Sequence, residues 1–263
     1  MDMMQLIKTR KSVRTFDGKP ISVEIIEKLD HYIKNIPNPY GIPVDFVLLD
    51  AKKNDLSSPV IQGETLYIAG KVEKQPHGEE AFGYSFEKMV LYAWSLGIGT
   101  TWIGGTLDRP HFEKTVGLKD RERMYGISPL GYPAEEMSEV DIRLRGSVKG
   151  DERLPASELF FNRTLSTPLA LDDPNLQEIL ESVRWAPSAA NMQPWRIIRN
   201  GNQFHFYEKH TRHYDAETYG DVQKIDMGIA LCHFMSVTEG MFSFSDPGIV
   251  IGPDMEYIAT VTL

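Results

Sequence analysis

The strongest constraint on how this chain can fold is that it states one order of elements twice. The segment "PISVEIIEKLDHYI" carries a helical stripe of Ile25, Ile26, Leu29 and Ile33 behind the start signals Pro20 and Ser22. A matching stripe follows Asp/Pro start signals in "DDPNLQEILESVRWA", about 150 residues later. Pro187 falls opposite Pro37, and the strand-like "WRIIR" opposite "DFVLL" of "VDFVLLD". A second strand is expected in "TLYIAGKV". A long helix is expected from Tyr84 to Leu96, with Phe86, Met89, Val90, Ala93 and Trp94 on one face and Gly97 as its C-cap. "IDMGIALCHFMSVTEG" repeats that helix and its closing glycine, and "EYIATVTL" repeats "RMYGISPLG". Repeats of this period predict two equivalent subdomains that pack as an internal pseudo-dimer, an α+β arrangement of two mixed α/β halves. The halves are expected at residues 1–158 and 159–263, joined by the polar, charged connector "GSVKGDERLPASELFF", Gly146 to Phe161.

At 263 residues there is room for one large domain or two small ones, each with a core. The net charge of -9 lacks the basic footprint of a nucleic-acid binder, so no nucleic-acid partner is expected. The most apolar stretch, Met89 to Gly105, is broken by Ser95, Gly97, Gly99, Thr100 and Thr101, so no membrane span is expected either. "MDMMQLIKTR" has no apolar signal-peptide core. The single cysteine, Cys232, excludes an intrachain disulfide and, within "DMGIALCHF", reads as a structural thiol on a buried helix face. These features point to a soluble cytoplasmic protein.

Three stretches carry chemistry. In "RKSVRTF", Arg10, Lys11 and Arg14 surround the Ser12 hydroxyl; arginine forks and a hydroxyl suit phosphate oxygens, and the same run also reads as a solvated basic surface. In "LGIGTTWIGG", Gly104 and Gly105 follow Trp102 and Ile103 at a strand end, where bare peptide groups admit a flat ligand or make a tight turn. In "WAPSAANMQPW", Ser188, Ala189 and Ala190 clear space while Asn191 and Gln193 offer amide groups. That suits the face of a planar heteroaromatic ring, or a helix-ending turn that enters a strand. No catalytic His, Asp, Glu or Cys stands in this stretch. His205, His210, His213 and Asp215 of "HFYEKHTRHYD" fit no compact ligand spacing, so no metal is expected. The chain has no GxSxG, P-loop or GxGxxG sequence.

Together the three stretches resemble the nitroreductase family of FMN-dependent oxidoreductases. "RKSVRTF" is similar to its N-terminal flavin-phosphate signature, "APSAANMQPWR" to its "PS-x-x-N-x-QPW" segment, and "LGIGTTWIGG" to its "LGLGTCWIGG" segment. "GYP" and "ERLPASELF" resemble its closing strand and tail. The family is typically a homodimer with two FMN sites at the interface, each taking the basic motif and the glycine pair from one subunit and the "PS-x-x-N" loop from the other. Here "PNPYGIPVD" stands where the first half would carry that loop. "FFNRTLS", with Arg163 alone, and "EGMFSFSD" stand where the second half would carry the basic motif and the glycines. The resemblance therefore implies a fused two-repeat member with one composite FMN site, one degenerate counterpart, and no need of a second chain.

By the same resemblance, Arg10, Ser12 and Arg14 hold the FMN phosphate beside Lys11, and Arg153 supplies a tail contact. Pro187, Ser188 and Asn191, with Ala189 and Gln193 in the same segment, line the isoalloxazine and ribityl chain. Trp102 and Ile103 lead to Gly104 and Gly105, whose N–H groups face the N5/O4 edge. The implied activity is hydride transfer from NAD(P)H through FMN to an electron-poor small molecule such as a nitroaromatic, quinone or enone. A flavin-binding carrier or sensor without turnover would use the same residues.

Overall fold

In the computed structural model, residues 2–211 and 220–263 are described in full and residues 215 and 216 by their backbone alone. The first half opens with α1 (Met3–Thr9), whose N-cap Asp2 accepts from the Gln5 amide, and α2 (Val23–Ile33), capped by Ser22. α2 buries Leu29 and Ile33 of the expected stripe. Strands β1 (Asp45–Asp50) and β2 (Leu66–Glu73) follow, then α3 (Gly78–Ser95), α4 (Arg109–Thr115), β3 (Glu122–Arg123) and β4 (Ile127–Leu130). α5 (Glu139–Ser147), α6 (Ala156–Leu159) and β5 (Phe160–Asn162) lead into the second half. There α7 (Pro174–Arg184), β6 (Trp195–Asn200) and β7 (Gln203–Lys209) are followed by the short pair β8 (Asp215–Ala216) and β9 (Gly220–Asp221). α8 (Val222–Val237), β10 (Met241–Ser243) and β11 (Met255–Thr262) complete the chain. No helix among the described residues is long and apolar enough to cross a membrane.

The two sheets repeat one order. β2 pairs antiparallel with both β1 and β4, and bridges from Gly99 to Gly131 and from Ile103 to Ile127 set the segment 99–103 beside β4. In the second sheet β7 pairs antiparallel with β6 and β11, and β10 lies beside β11. β1, β2, β4 and segment 99–103 thus match β6, β7, β11 and β10. At the outer edge of β6 the second sheet gains β5, paired parallel from Phe160 against Ile197.

α3 and α8 run through the middle, and the core is continuous across them, from Leu29, Phe86 and Val90 to Leu180, Trp195, Leu231 and Phe234. α3 is buried on nearly every side, including Ala81, Phe82, Tyr84 and Leu91, and it takes the polar Glu80, Ser85 and Glu87 into the interior with them. The two helices approach through glycine. A Cβ on Gly83 would stand 2.1 Å from the Ile225 carbonyl oxygen, and one on Gly228 would stand 2.1 Å from the Glu80 carbonyl oxygen. The contact is reciprocal, each helix offering a glycine to a carbonyl of the other.

Two expectations needed revision. α3 begins at Gly78, not Tyr84. Gly78 and Gly83 depress helix propensity and mask its first turns in the sequence, while the approach of α8 requires the second of them. The connector Gly146 to Phe161 is also more ordered than its composition predicts: it holds the end of α5, all of α6 and most of β5. α5 starts from the Ser138 cap and is short and polar, so it leaves no apolar period to read.

Candidate functional site

The basic motif leaves α1 as an extended strand. Arg10 caps the helix, with its backbone N–H on the Leu6 carbonyl, and Ser12 bridges Thr100 in parallel. The fold treats its cations differently. Lys11 is exposed. Arg14 is tied to the buried Asp141, donating through its backbone N–H and its guanidinium at 3.1 Å each. Arg10 is only 8% exposed, yet its guanidinium donates to no described residue. The nearest carboxylate is Glu87, 3.9 Å from Nε. Burial lowers the Arg10 pKa; Glu87 opposes that shift and Arg145 adds to it.

The tail brings a second arginine to the same place. Arg153 donates to the carbonyls of Gly150 (3.0 Å) and Glu152 (2.7 Å) and lies over the Trp185 ring at 5.0 Å. Its pKa falls to about 10, first by burial and then by the positive charge of Arg10. Arg153 Nε, like Arg10 Nε, is buried without a hydrogen-bond partner. Arg145, bound to Asp151 at 2.7 Å, adds a third positive charge near both. Like charges brought together in a buried setting, with donors left over, describe a seat for an anion.

Against the tail stands the loop of small residues. Asn191 Nδ2 donates to the carbonyls of Lys149 (2.8 Å) and Glu152 (3.0 Å), and Gln193 Oε1 accepts from the Leu154 amide. The Ser188 hydroxyl accepts from the Gln193 amide, and Ala189 N–H donates to both oxygens of the buried Asp226. Pro187 is half-buried where the loop begins. Ala190, Asn191 and Gln193 have φ of 47°, 59° and 50°, left-handed values that asparagine tolerates and that strain alanine and glutamine. The loop holds that shape through its contacts with the tail. A cavity of about 450 Å³ opens between them, lined by Lys149, Glu152, Arg153, Pro155, Asn191 and Gln193 among others.

The glycine pair is reached through Trp102 and Ile103. Ile103 is buried in the first sheet, and the Trp102 indole N–H donates to Glu87 Oε2 at 2.8 Å. Gly104 and Gly105 are exposed, and no atom crowds the Cβ position of Gly105. The structure thus brings Arg10, Arg153 and the 188–193 loop together and ties Trp102 to Arg10 through Glu87. It turns Arg14 toward Asp141 instead.

The sequence reading passed over Glu87 and His233. Both side chains are fully buried; His233 Nε2 lies 3.0 Å from Glu87 Oε1, and Nδ1 lies 2.9 Å from the Ser182 carbonyl. Lone polar residues in an apolar helix were the only available signal. Among the histidines weighed for a metal, His205 bonds the Thr260 hydroxyl, while His213 lies outside the described residues, as does the Asp215 side chain. Glu208, His210 and Asp221 gather with ligand atoms within 4.8 Å of one another. Burial raises the Glu208 pKa to about 7, with the Asp221 charge adding to it, and burial also raises Asp221 and Asp226. Cys232 is buried on α8 and its thiol pKa is raised by burial, as a structural thiol requires.

The counterpart of this loop in the first half differs. The Tyr40 ring sits 4.9 Å from Phe242 and 5.9 Å from Phe244, and His77 stacks on Phe244 at 4.5 Å.

The "putative nitroreductase" of Thermotoga maritima shares the fold over 100% of this chain and 94% of its own, with a TM-score of 0.63 at 20% identity. A nitroreductase family protein from Clostridium difficile 630 aligns over 60% of this chain and 96% of its own (TM-score 0.47, 17% identity). An "FMN-dependent Nitroreductase" from Clostridium difficile R20291 aligns over 52% and 92% (TM-score 0.44, 18% identity). No curated protein matches the chain. The model of the family described as "Putative TM nitroreductase" matches residues 2–237, nearly the whole chain, and the protein therefore belongs to that family.

Proposed function

We propose that the protein is an FMN-dependent oxidoreductase that moves hydride from NAD(P)H to an electron-poor small molecule, a nitroaromatic, quinone or enone. The observation that carries this reading is Arg10. Arg10 is 8% exposed and its guanidinium makes no hydrogen bond to a described residue, its one ion pair among them being Glu87 at 3.9 Å, so its donors are left for an anion, and Arg153 nearby presents a second buried Nε without a hydrogen bond. A flavin phosphate fits those donors, with the Ser12 hydroxyl next in the chain. Pro187, Ser188, Ala189, Asn191 and Gln193 would hold the ring and ribityl chain, and the open peptides of Gly104 and Gly105 would face the ring's polar edge. Bound there, the flavin would supply the hydride transfer. The chain's own work is to anchor, orient and shield, which explains why no general acid or nucleophile stands in the loop.

On this reading residues 1–158 and 159–263 are the two halves of an internal pseudo-dimer that works as a cytoplasmic monomer. The reciprocal Gly83 and Gly228 contacts and the repeated sheet order support the two-fold relation. One flavin site per chain is supported by the Tyr40, Phe242 and Phe244 contact, which fills the counterpart position with rings.

The test is anaerobic mixing of the FMN-loaded protein with NADH or NADPH, followed by a quinone. Bleaching of the flavin absorbance by one dinucleotide and its return on adding quinone is the expected result. A flavin that stays oxidised with both would mark a carrier, and a protein that takes up no FMN would overturn the proposal.

A further inference from the structure

The geometry points to Glu87 as a positioning residue that sets Arg10 for a ligand phosphate and is itself fixed across the two halves by His233. The inference rests on the flavin reading above. It begins with a carboxylate where a helix core would have an apolar side chain. Glu87 is fully buried in the middle of α3, and each of its oxygens is engaged. Oε2 accepts from the Trp102 indole at 2.8 Å, and Oε1 lies 3.0 Å from His233 Nε2 and 3.9 Å from Arg10 Nε. Trp102 and Arg10 belong to the first half, and His233 comes from α8 in the second.

His233 is itself pinned. The Ser182 carbonyl can only accept, so Nδ1 carries a proton and donates to it at 2.9 Å. That leaves Nε2 as the nitrogen that faces Glu87 Oε1, so the ring holds the carboxyl group from the second half. Glu87 is also the carboxylate that raises the pKa of Arg10 against burial, whereas the charges of Arg145 and Arg153 stand nearby with the same sign. The distance to Arg10, 3.9 Å, is too long for a hydrogen bond and short enough for strong attraction in a buried setting. Glu87 therefore holds the guanidinium by charge without consuming its donors. Those donors stay available to an anion. The same carboxylate fixes Trp102, which leads to the glycine pair, so one side chain registers the phosphate end of the site to its ring end and both to the opposite half.

Glu87→Gln isolates this role. A glutamine side chain can accept from Trp102 through its oxygen and donate through its amide nitrogen to His233 Nε2, so the carboxylate is replaced while its contacts keep their partners. What the variant removes is the attraction that aims Arg10. The measurement is the Kd of the apoprotein for FMN and for riboflavin, which lacks the phosphate, in the wild type, in Glu87→Gln and in Arg10→Ala. Weakening of FMN by about tenfold in Glu87→Gln, with riboflavin affinity within twofold of wild type, is expected, and Arg10→Ala should show the same selectivity more strongly.

Unchanged FMN affinity in Glu87→Gln would overturn the inference, as would equal weakening of both ligands, which would mark a purely structural residue. A wild type that does not distinguish FMN from riboflavin would instead sink the phosphate assignment of Arg10, and this inference with it. If Glu87→Gln does not fold, Glu87→Asp keeps the charge but withdraws it from Arg10, and the same FMN-only loss is expected. Failure of both variants to fold would assign Glu87 to stability alone and overturn the proposal.

Discussion

Glu208 shows how burial of a single side chain makes stability depend on pH. Its carboxyl pKa is raised from the usual 4.5 to about 7, chiefly because it is buried, with Asp221 contributing and His210 opposing. A carboxyl whose folded pKa exceeds its unfolded value binds its proton more tightly in the native state. Its contribution is therefore complete below about pH 4.5 and is lost as pH rises through about 7. Glu208→Gln keeps the shape and removes the titration. The variant should match wild type near pH 5 and become progressively more stable than wild type up to pH 8, by roughly 2 kcal/mol. Thermal melts of both proteins across that range check it, and a difference independent of pH would refute it. At this scale legibility in the sequence was uneven. Arg10 was legible as one of a run of cations, but a run of cations does not say which of them the fold buries. Glu87, His233 and Glu208 are single polar residues in apolar segments, and a sequence does not distinguish one that points into the core from one that points to water. Arg14 was legible as a cation but not as the partner of Asp141, because that partner lies 127 positions away.

The helices and strands were the more readable level, since α2, α7, β1, β6 and β11 announce themselves by period and cap. What stayed hidden were elements whose cause is another element. α3 extends to Gly78 and tolerates Gly83 because α8 lies against it, and no property of the segment alone records that. The contact makes a symmetric prediction. Alanine is the better helix former by about 1 kcal/mol, yet a methyl at Gly83 would meet the Ile225 carbonyl at 2.1 Å and one at Gly228 the Glu80 carbonyl at the same distance. Neither backbone can yield without separating the central helices, so each substitution should be net destabilising by about 2–3 kcal/mol. The two should be similar in size and less than additive together, because the first separation relieves the second clash. Urea unfolding midpoints of the two single variants and the double variant decide this. A Gly83→Ala protein as stable as wild type would mean that the helices do not meet at that residue.

For the whole molecule, the question set by a repeated order of elements is how many sites the chain builds. A perfect two-fold would build two. The repeated sheet order and the reciprocal glycines supply the frame for both, but the side chains do not repeat. On one side the loop of small residues faces a tail that carries Arg153, close to the buried Arg10, whose Nε makes no hydrogen bond. On the other, Tyr40 packs on Phe242 and Phe244, and Phe242 and Phe244 meet edge to face at 5.1 Å. Arg163, which the sequence sets opposite the basic motif, has its backbone at φ 63° with its N–H on the Arg199 carbonyl, in an exposed turn beside β5. Rings that already touch leave no slot for a third between them, and an exposed arginine offers little to a phosphate that water does not. Saturating the apoprotein with FMN, removing the excess and comparing flavin absorbance with protein concentration should therefore give one flavin per chain. Arg163→Ala should leave that ratio at one with unchanged Kd, and Arg10→Ala should weaken binding by more than tenfold, since a charge-assisted contact to phosphate is worth roughly 1.5–3 kcal/mol. A ratio of two would show that the aromatic contact opens to admit a ligand and that the chain builds two working sites.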